Sequence, residues 1–388
     1  MPGGQASGEE GGRLVSDLRR TPLYGLHASL EARFVPFAGW EMPVQFAAGV
    51  MKEHQHTREA AGLFDVSHMG QVILRPDSGD AADAARALEA LVPADILGLG
   101  AGRQRYALFT SAEGGILDDL MVANRGDHLF LVVNAARADH DIAHLQDGMT
   151  GKGVTVEPVG DRALLALQGP AAQAVLAAHV AEAADMRFMD VTVVSSAFGE
   201  LWISRSGYTG EDGYEISVPA SEAERFARAL LEDTCVMSIG LGARDSLRLE
   251  AGLCLYGTDI DETTSPVEAA LTWSIGKARR VGGMREGGFP GSERILREMA
   301  EGTQRLRVGL APEGRAPMRA GTKILVGDEE VGEVTSGAFG PTVGAPVSMG
   351  YVASGHAATG TTLDGEVRGK RLPVRVADLP FVQAGFKR

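Results

Sequence analysis

Residues Tyr106–Asn134 read YALFTSAEGGILDDLMVANRGDHLFLVVN. The runs Tyr106–Thr110, Ile116–Ala123 and Leu129–Asn134 are rich in β-branched and aromatic residues and are separated by glycine-containing turns, a pattern that predicts successive strands. Upstream, Gln71–Leu74 predicts a further strand. Asp80–Leu91 (DAADAARALEAL) places Ala and Leu at helical spacing and predicts a helix, and a second helix follows Ala138. A run of similar order comes next: strand Ala163–Leu167, helix Gly169–Ala178 with Pro170 in its first turn, strands Leu201–Ser204 and Tyr214–Val218, and helix Ser221–Glu232. Ser221 and Glu224 make a capping box for that last helix. Strands and helices mixed in this way give an α+β fold, or two mixed units packed face to face.

Toward the N-terminus, Phe34–Phe46 (FVPFAGWEMPVQF) reads as packed loop and short strand. His54–Arg58 reads as part of a helix ending at Gly62, and Met1–Arg20 as a disordered tail. Beyond Trp273, Lys277–Gly291 is a basic, Gly-rich connecting loop. From Gln304 onward the short runs Arg305–Leu310, Lys323–Val326, Val331–Ser336, Val347–Tyr351 and Leu372–Val376 alternate with Gly/Pro clusters and predict a small all-β domain, a barrel or a sandwich.

Composition bounds the function. The 388 residues correspond to two or three domains at about 150 residues each. A formal charge of −14 argues against nucleic-acid and anionic-membrane binding, which need Lys and Arg to neutralise phosphate. No apolar run reaches the ~18–20 residues of a membrane span. The cysteines, Cys235 and Cys254, form no CxxC, so neither a disulfide framework nor a structural zinc site is expected. A reducing, soluble compartment follows. The 51 glycines, about 13% of the chain against a usual ~7%, point to turns or to close backbone approach.

Four segments are richer in polar groups than packing requires: Gly114–Val122, Gly207–Ile216, Gly240–Glu250 and Leu255–Glu262. In the first, successive side chains of a strand point to opposite faces, so one of Asp118 and Asp119 can face a cavity while the other faces solvent or caps the turn. Both could equally be turn residues. In the second, Tyr208 offers a flat face and Glu215 a bidentate acceptor. In the third, Arg244 can grip a carboxylate with two donors, or Arg and Glu there can be surface pairs of little energy. Phosphate loops and nucleophile elbows are missing, His54-x-His56 lacks acidic or Cys partners at ligand spacing, and a lone His such as His68 is more often structural, so no metal is expected. The remaining acids, Arg and Tyr suit a polar, planar, nitrogen-rich ligand.

These same segments carry a resemblance. TPLY (Thr21–Tyr24), FAGWEMP (Phe37–Pro43), FDVSHM (Phe64–Met69), GGILDDL (Gly114–Leu120), LQGP (Leu167–Pro170), GYTGEDGYE (Gly207–Glu215), GARDSLRLEAGLCLYG (Gly242–Gly257) and TSG (Thr335–Gly337) occur in the order and spacing of the aminomethyltransferase (T-protein) family of the glycine cleavage system. The resemblance implies a cloverleaf-like folate-binding fold: two mixed α/β units and a C-terminal β-barrel or sandwich around a central opening. It implies a discontinuous folate-binding domain over 21–68 and 155–260, a second α+β domain over 69–154 and about 261–300, and a β-rich domain over 301–388.

The implied reaction takes an aminomethyl group from the lipoylated H-protein and delivers its one-carbon unit to tetrahydrofolate, giving 5,10-methylenetetrahydrofolate, ammonia and dihydrolipoyl H-protein. By the same resemblance Asp119 is the catalytic aspartate, orienting the folate nitrogens and helping to move protons. Glu215, Arg244, Tyr208 and Asn134 hold the pterin, Met69 and Tyr106 line the pocket, and Arg307 lies near the folate glutamate tail. Cytoplasm is the expected compartment in a bacterium and the mitochondrion in a eukaryote. A folate-dependent demethylase and a non-catalytic folate-binding scaffold on the same fold are the alternatives. The intact GGILDDL and GYTGEDGYE strings favour the aminomethyltransferase. Lys277, Arg279, Arg280 and Arg307 are candidates for a positive patch, and Gly114, Gly115, Gly207, Gly210, Gly213, Gly240, Gly242 and Gly257 for backbone that wraps the ligand.

Overall fold

A computed structural model describes residues 18–387 of the chain. The expected disordered tail lies outside the described residues except at its end. There Arg19 pairs with Trp40 and stacks 4.5 Å above its ring, and Arg20 Nε donates to Glu41 at 2.9 Å.

The stretch 103–133 forms antiparallel strands Arg103–Thr110, Ile116–Asn124 and Leu129–Val133, extended by Gly70–Pro76 and Val154–Pro158 into a five-stranded sheet. Helices Ala81–Leu88 and Ala138–Met149 cover one face, sealing Val72, Leu74, Leu88, Phe109, Leu131 and Leu145 in a core. Asp80 caps the first of these helices by accepting from Ala82 N, which satisfies one of the donors a helix start leaves free.

The second run forms a six-stranded sheet in the order Val191–Ser196, Gly199–Ser204, Gly213–Pro219, Arg162–Gln168, Ala61–Asp65, Val236–Ile239. Its final pair is parallel. Helices Ala172–Ala177 and Ala223–Leu231 close its outer face. Phe226 and Leu230 are fully buried there, each gaining about 1.5–3 kcal/mol over exposure. The helix at Ala223 has no capping box: Glu222 occupies the cap position, one residue later than the sequence pattern requires, and Glu224 instead accepts from Arg228 at 2.6 Å. The helix around His54 spans Val50–Glu59, and Gly62 lies inside a strand, not at the helix end.

The inner faces of the two sheets meet. Ile73, Ala123 and Phe130 of one pack with Val191 and Trp202 of the other, and the gap between them is also lined by Gln104, Met121, Ser204 and Glu215.

The C-terminal strands close into a six-stranded barrel, because Arg305–Pro312 pairs with both Ala345–Ala353 and Lys370–Ala377. A strand the sequence pattern did not indicate, Thr362–Val367, completes it. Asp364 and Gly365 interrupt its apolar alternation. Helix Leu241–Glu250 joins the barrel to the rest. Arg248 forms no surface pair of the kind open to that segment: it is buried and donates to Asp259 at 2.6 Å and to Ser336 Oγ at 2.9 Å. Thr335 and Tyr351 of the barrel also donate to Asp259, and buried Glu250 takes His54, Arg58 and the Thr342 amide. Beyond the barrel the chain returns to the six-stranded unit, with Phe381 N on Glu250 O, Gly385 N on Gly210 O, and Phe386 stacked on Phe188 at 4.2 Å. No helix among the described residues is long and apolar enough to cross a membrane.

Candidate functional site

Strand Ile116–Asn124 leaves a turn at Gly114-Gly115. A Cβ on Gly115 would lie 1.7 Å from the Glu262 carbonyl oxygen, so only glycine lets the loop before Glu262 settle on this strand. The glycine-rich segments act mainly as wedges between parts of the chain. At Gly207 the absent Cβ would meet Gln168 Oε1, also at 1.7 Å.

Asp118 and Asp119 are neither turn residues nor solvent-facing. Asp118 is fully buried and accepts from Asn134 Nδ2 at 2.9 Å and Asn134 N at 3.3 Å. Asp119, half-buried, accepts from the same Nδ2 at 2.7 Å. One amide, placed at the end of strand Leu129–Val133, therefore bridges both carboxylates. Tyr106, on the neighbouring strand, lies near Asp119, whose charge pushes the Tyr106 hydroxyl up after burial has done so. Burial first, and then the charge of Asp118, push the Asp119 carboxyl up to about 7. That places it where a proton can be held or released near neutrality.

Across the site, helix Leu241–Glu250 carries Arg244 in its first turn, with the guanidinium 4.7 Å from the Tyr208 ring centre. Arg244 makes no ion pair with any described residue; Tyr208 and Glu215 are the charge partners that face it, and burial lowers its pKa. The Tyr208 hydroxyl is engaged on the Cys254 carbonyl, so its ring is what remains as a wall. Ser206 Oγ donates to Glu215 Oε2 at 2.9 Å; no hydrogen bond among the described residues uses Oε1. Met69 packs beside Phe64, Val66 and Leu164 at the base of the same inter-sheet space.

Asp119 and Asn134 are thus joined by a hydrogen bond and Arg244 lies over Tyr208, while the charge of Asp119 is felt at Tyr106 and Tyr208 and that of Glu215 at Arg244, so the fold gathers these residues in one region. Arg307 stands apart. It is buried with Nε on the Ala269 carbonyl at 2.8 Å and Nη1 on the Gly252 carbonyl at 3.1 Å. Two other members of the expected basic patch are engaged as well. Arg279 is on Glu89 at 2.8 Å, and Arg280 caps the carbonyls of Ile275 and Thr272. Of the four, Lys277 alone is exposed.

His68, set aside in the sequence as structural, belongs to the site. It is buried, faces Arg244, and is held neutral by burial and by that charge, its pKa falling to about 4. Its Nδ1 has no hydrogen-bond partner among the described residues. Its place directly before Met69 in FDVSHM was the available signal.

An acidic corner with a shared amide, an aromatic wall, a free guanidinium and a carboxylate with an open oxygen suit a flat ligand bearing ring N–H and amine donors. Residues 23–279 match the family model described as GCVT N-terminal domain, and residues 305–383 match the glycine cleavage T-protein C-terminal barrel domain. The chain belongs to the aminomethyltransferase (T-protein) family of the glycine cleavage system. It is 45% identical to the mitochondrial aminomethyltransferase of Homo sapiens, over 95% of this chain and 91% of that protein. It is 44% identical to a probable mitochondrial aminomethyltransferase of Schizosaccharomyces pombe, over 96% and 95%. The crystal structure of the glycine cleavage system aminomethyltransferase T from Bartonella henselae superposes with a TM-score of 0.88 at 41% identity, covering 96% of this chain and all of that one. The chain is accordingly a transferase of aminomethyl groups within glycine cleavage, and the mixed α/β units with a closed C-terminal barrel are the fold of that family.

Proposed function

We propose that this aminomethyltransferase accepts the aminomethyl group from the lipoyl arm of H-protein and passes its one-carbon unit to tetrahydrofolate. The products are 5,10-methylenetetrahydrofolate, ammonia and dihydrolipoyl H-protein. The observation that carries the reading is Asp119, half-buried, tied to Asp118 through one Asn134 amide and near enough to Tyr208, the ring under Arg244, for its charge to be felt there. Tetrahydrofolate, when bound, supplies the nucleophilic nitrogens.

The protein's own residues do the rest. Glu215 accepts from ring N–H and amine, its Oε2 already oriented by Ser206. Tyr208 and Met69 set the plane of the ligand, and Arg244 offers its unpaired guanidinium to an electronegative edge. Asp119, with a proton affinity near neutrality, orients the reacting nitrogens and holds or moves a proton at its carboxylate. Acid–base help of this kind typically contributes ~10²–10⁴-fold, and well-oriented reactants more. In this reading Arg307 supports the tail end of the ligand's pocket from within the barrel seam.

We further propose the domain division given by the resemblance, with 154–158 assigned to the second unit because that strand pairs with Gly70–Pro76. The proposed compartment is the cytoplasm of a bacterium or the mitochondrion of a eukaryote; the relatives named above from Homo sapiens and Schizosaccharomyces pombe are mitochondrial. The test is ammonia release from aminomethyl-loaded, lipoylated H-protein with and without tetrahydrofolate. Tetrahydrofolate-dependent release with formation of the methylene product is expected. Folate binding without release would instead fit a scaffold, and transfer of a methyl group from a methylated amine or sulfonium to tetrahydrofolate a demethylase.

A further inference from the structure

Behind Asp118 lies a third acid. Asp141 lies in the first turns of helix Ala138–Met149, one turn before Leu145, which shares its core with Leu120; Asp118, two residues before Leu120, is on that same covered sheet face, and the two acids, both fully buried, interact there. Its Oδ2 has no hydrogen-bond donor among the described residues. Two carboxylates in contact away from water cannot both be ionised, so the pair retains a proton.

The surroundings decide which of them holds it. Asp118 accepts two hydrogen bonds from Asn134, an arrangement that favours its ionised form. Asp141 has only the His140 ring nitrogen, at 3.4 Å from Oδ1, and the charge of Arg137. Arg137 and the helix start both favour an anion at Asp141, but Arg137 is shared with Glu262 at 3.2 Å. Burial and the contact with Asp118 outweigh them and raise the Asp141 carboxyl well above the carboxylate range. The other titratable groups facing the trio are Tyr256 beside Asp118, Tyr106, Tyr208 and Cys254 around Asp119, and His144, stacked behind His140.

We propose that Asp141 is a positioning residue for aminomethyl transfer: its protonated carboxyl donates to Asp118, keeps that carboxylate ionised, and so fixes the Asn134 amide against Asp119. The proposal rests on the reading of Asp119 given under Proposed function. Its consequence is electrostatic. An ionised Asp118 keeps the proton affinity of Asp119 high. Without the donor, Asp118 takes up the proton itself, and Asp119 loses both the neighbouring charge and a well-ordered amide.

The experiment compares Asp141→Asn, Asp141→Ala and Asp118→Asn in the full chain, by pH profiles of kcat with loaded H-protein and tetrahydrofolate. Asn at 141 keeps the shape and a donor, and should lower kcat only a few-fold with the profile preserved. Ala at 141 and Asn at 118 should each lower kcat by about tenfold or more and move the acidic limb about one pH unit lower, a tenfold change in proton affinity. KM for tetrahydrofolate should stay within a few-fold. Independently of turnover, infrared spectra at neutral pH should show a protonated-carboxyl C=O band that Asp141→Asn removes.

An unmoved acidic limb in Asp141→Ala, equal damage from Asn and Ala at 141, or no such band would overturn the proposal. If Asp119→Asn retained turnover, the Asp119 reading would fail. The infrared band would still report where the proton sits, so the two failures are separable.

Discussion

The barrel seam and the candidate site both bury acids, and they treat them in opposite ways. At the seam every acid meets a donor or a cation: Asp259 takes Arg248, and Glu250 takes His54, Arg58 and a backbone amide. Burial alone would raise Glu250, yet His54 and Thr342 bring it down to about 2. In the site the acids meet one another, with Asn134 as mediator, and Asp119 rises to about 7. A buried acid with its cation is fixed and stabilises the joint; a buried acid beside another acid is left near its titration point and can move protons.

That contrast can be broken by substitution. Asp119→Asn should lower methylene transfer by about 10²–10⁴-fold, while tetrahydrofolate affinity by calorimetry stays within a few-fold. Near-parental turnover would remove Asp119 from the chemistry. Arg248→Ala at the seam should do the reverse. It strands Asp259 and should cost about 3–5 kcal/mol in denaturant unfolding; a loss under about 1 kcal/mol would mean that the seam is not held by this pair. Glu215→Ala should weaken folate binding by on the order of 1–3 kcal/mol with stability little changed, and unaltered affinity would contradict the pterin assignment. Gly115→Ala, whose Cβ must displace the Glu262 backbone, should destabilise by about 1–3 kcal/mol. Gly360→Ala, in open space but at φ +89°, should cost about 1 kcal/mol, and the reverse order would show that the loop over Gly115 is free to move.

The pH dependence of stability sharpens the comparison most. Glu250 has a folded pKa below its unfolded ~4.3, so its stabilisation is complete above that pH and lost as pH falls toward about 2. Asp119 has a folded pKa above its unfolded ~3.9, so its contribution is present at low pH and lost as pH rises through about 7. Relative to the parent, Glu250→Gln should therefore lose stability as pH rises from about 2 to 5, and Asp119→Asn should gain it from about 4 to 8. Parallel trends in the two variants would erase the distinction.

Much of the fold is legible in local pattern. Strands 103–133 and the barrel strands alternate apolar and polar residues between glycine-bearing turns, and helix Ala81–Leu88 carries its own Asp80 cap. Thr362–Val367 is not legible, because Asp364 and Gly365 break the alternation and its partners lie elsewhere in the barrel. Within the site, Asp119, Glu215, Tyr208 and Arg244 are marked by their strings. The helix at Ala223 shows the limit of strings: Ser221 and Glu224 have the right spacing and the wrong register.

The sequence by itself determined the strands of 103–133 and most of those of the barrel, and that two adjacent aspartates enter a strand together, since propensity and alternation act over a few neighbours. Only the tertiary structure decided that Asp118 turns inward to Asn134 and Asp141, that Arg248 is buried while Arg307 is engaged on carbonyls, and that Gly115 sits under the Glu262 backbone. Desolvation and charge pairing depend on groups brought together from distant parts of the chain, and these set which acid keeps its proton.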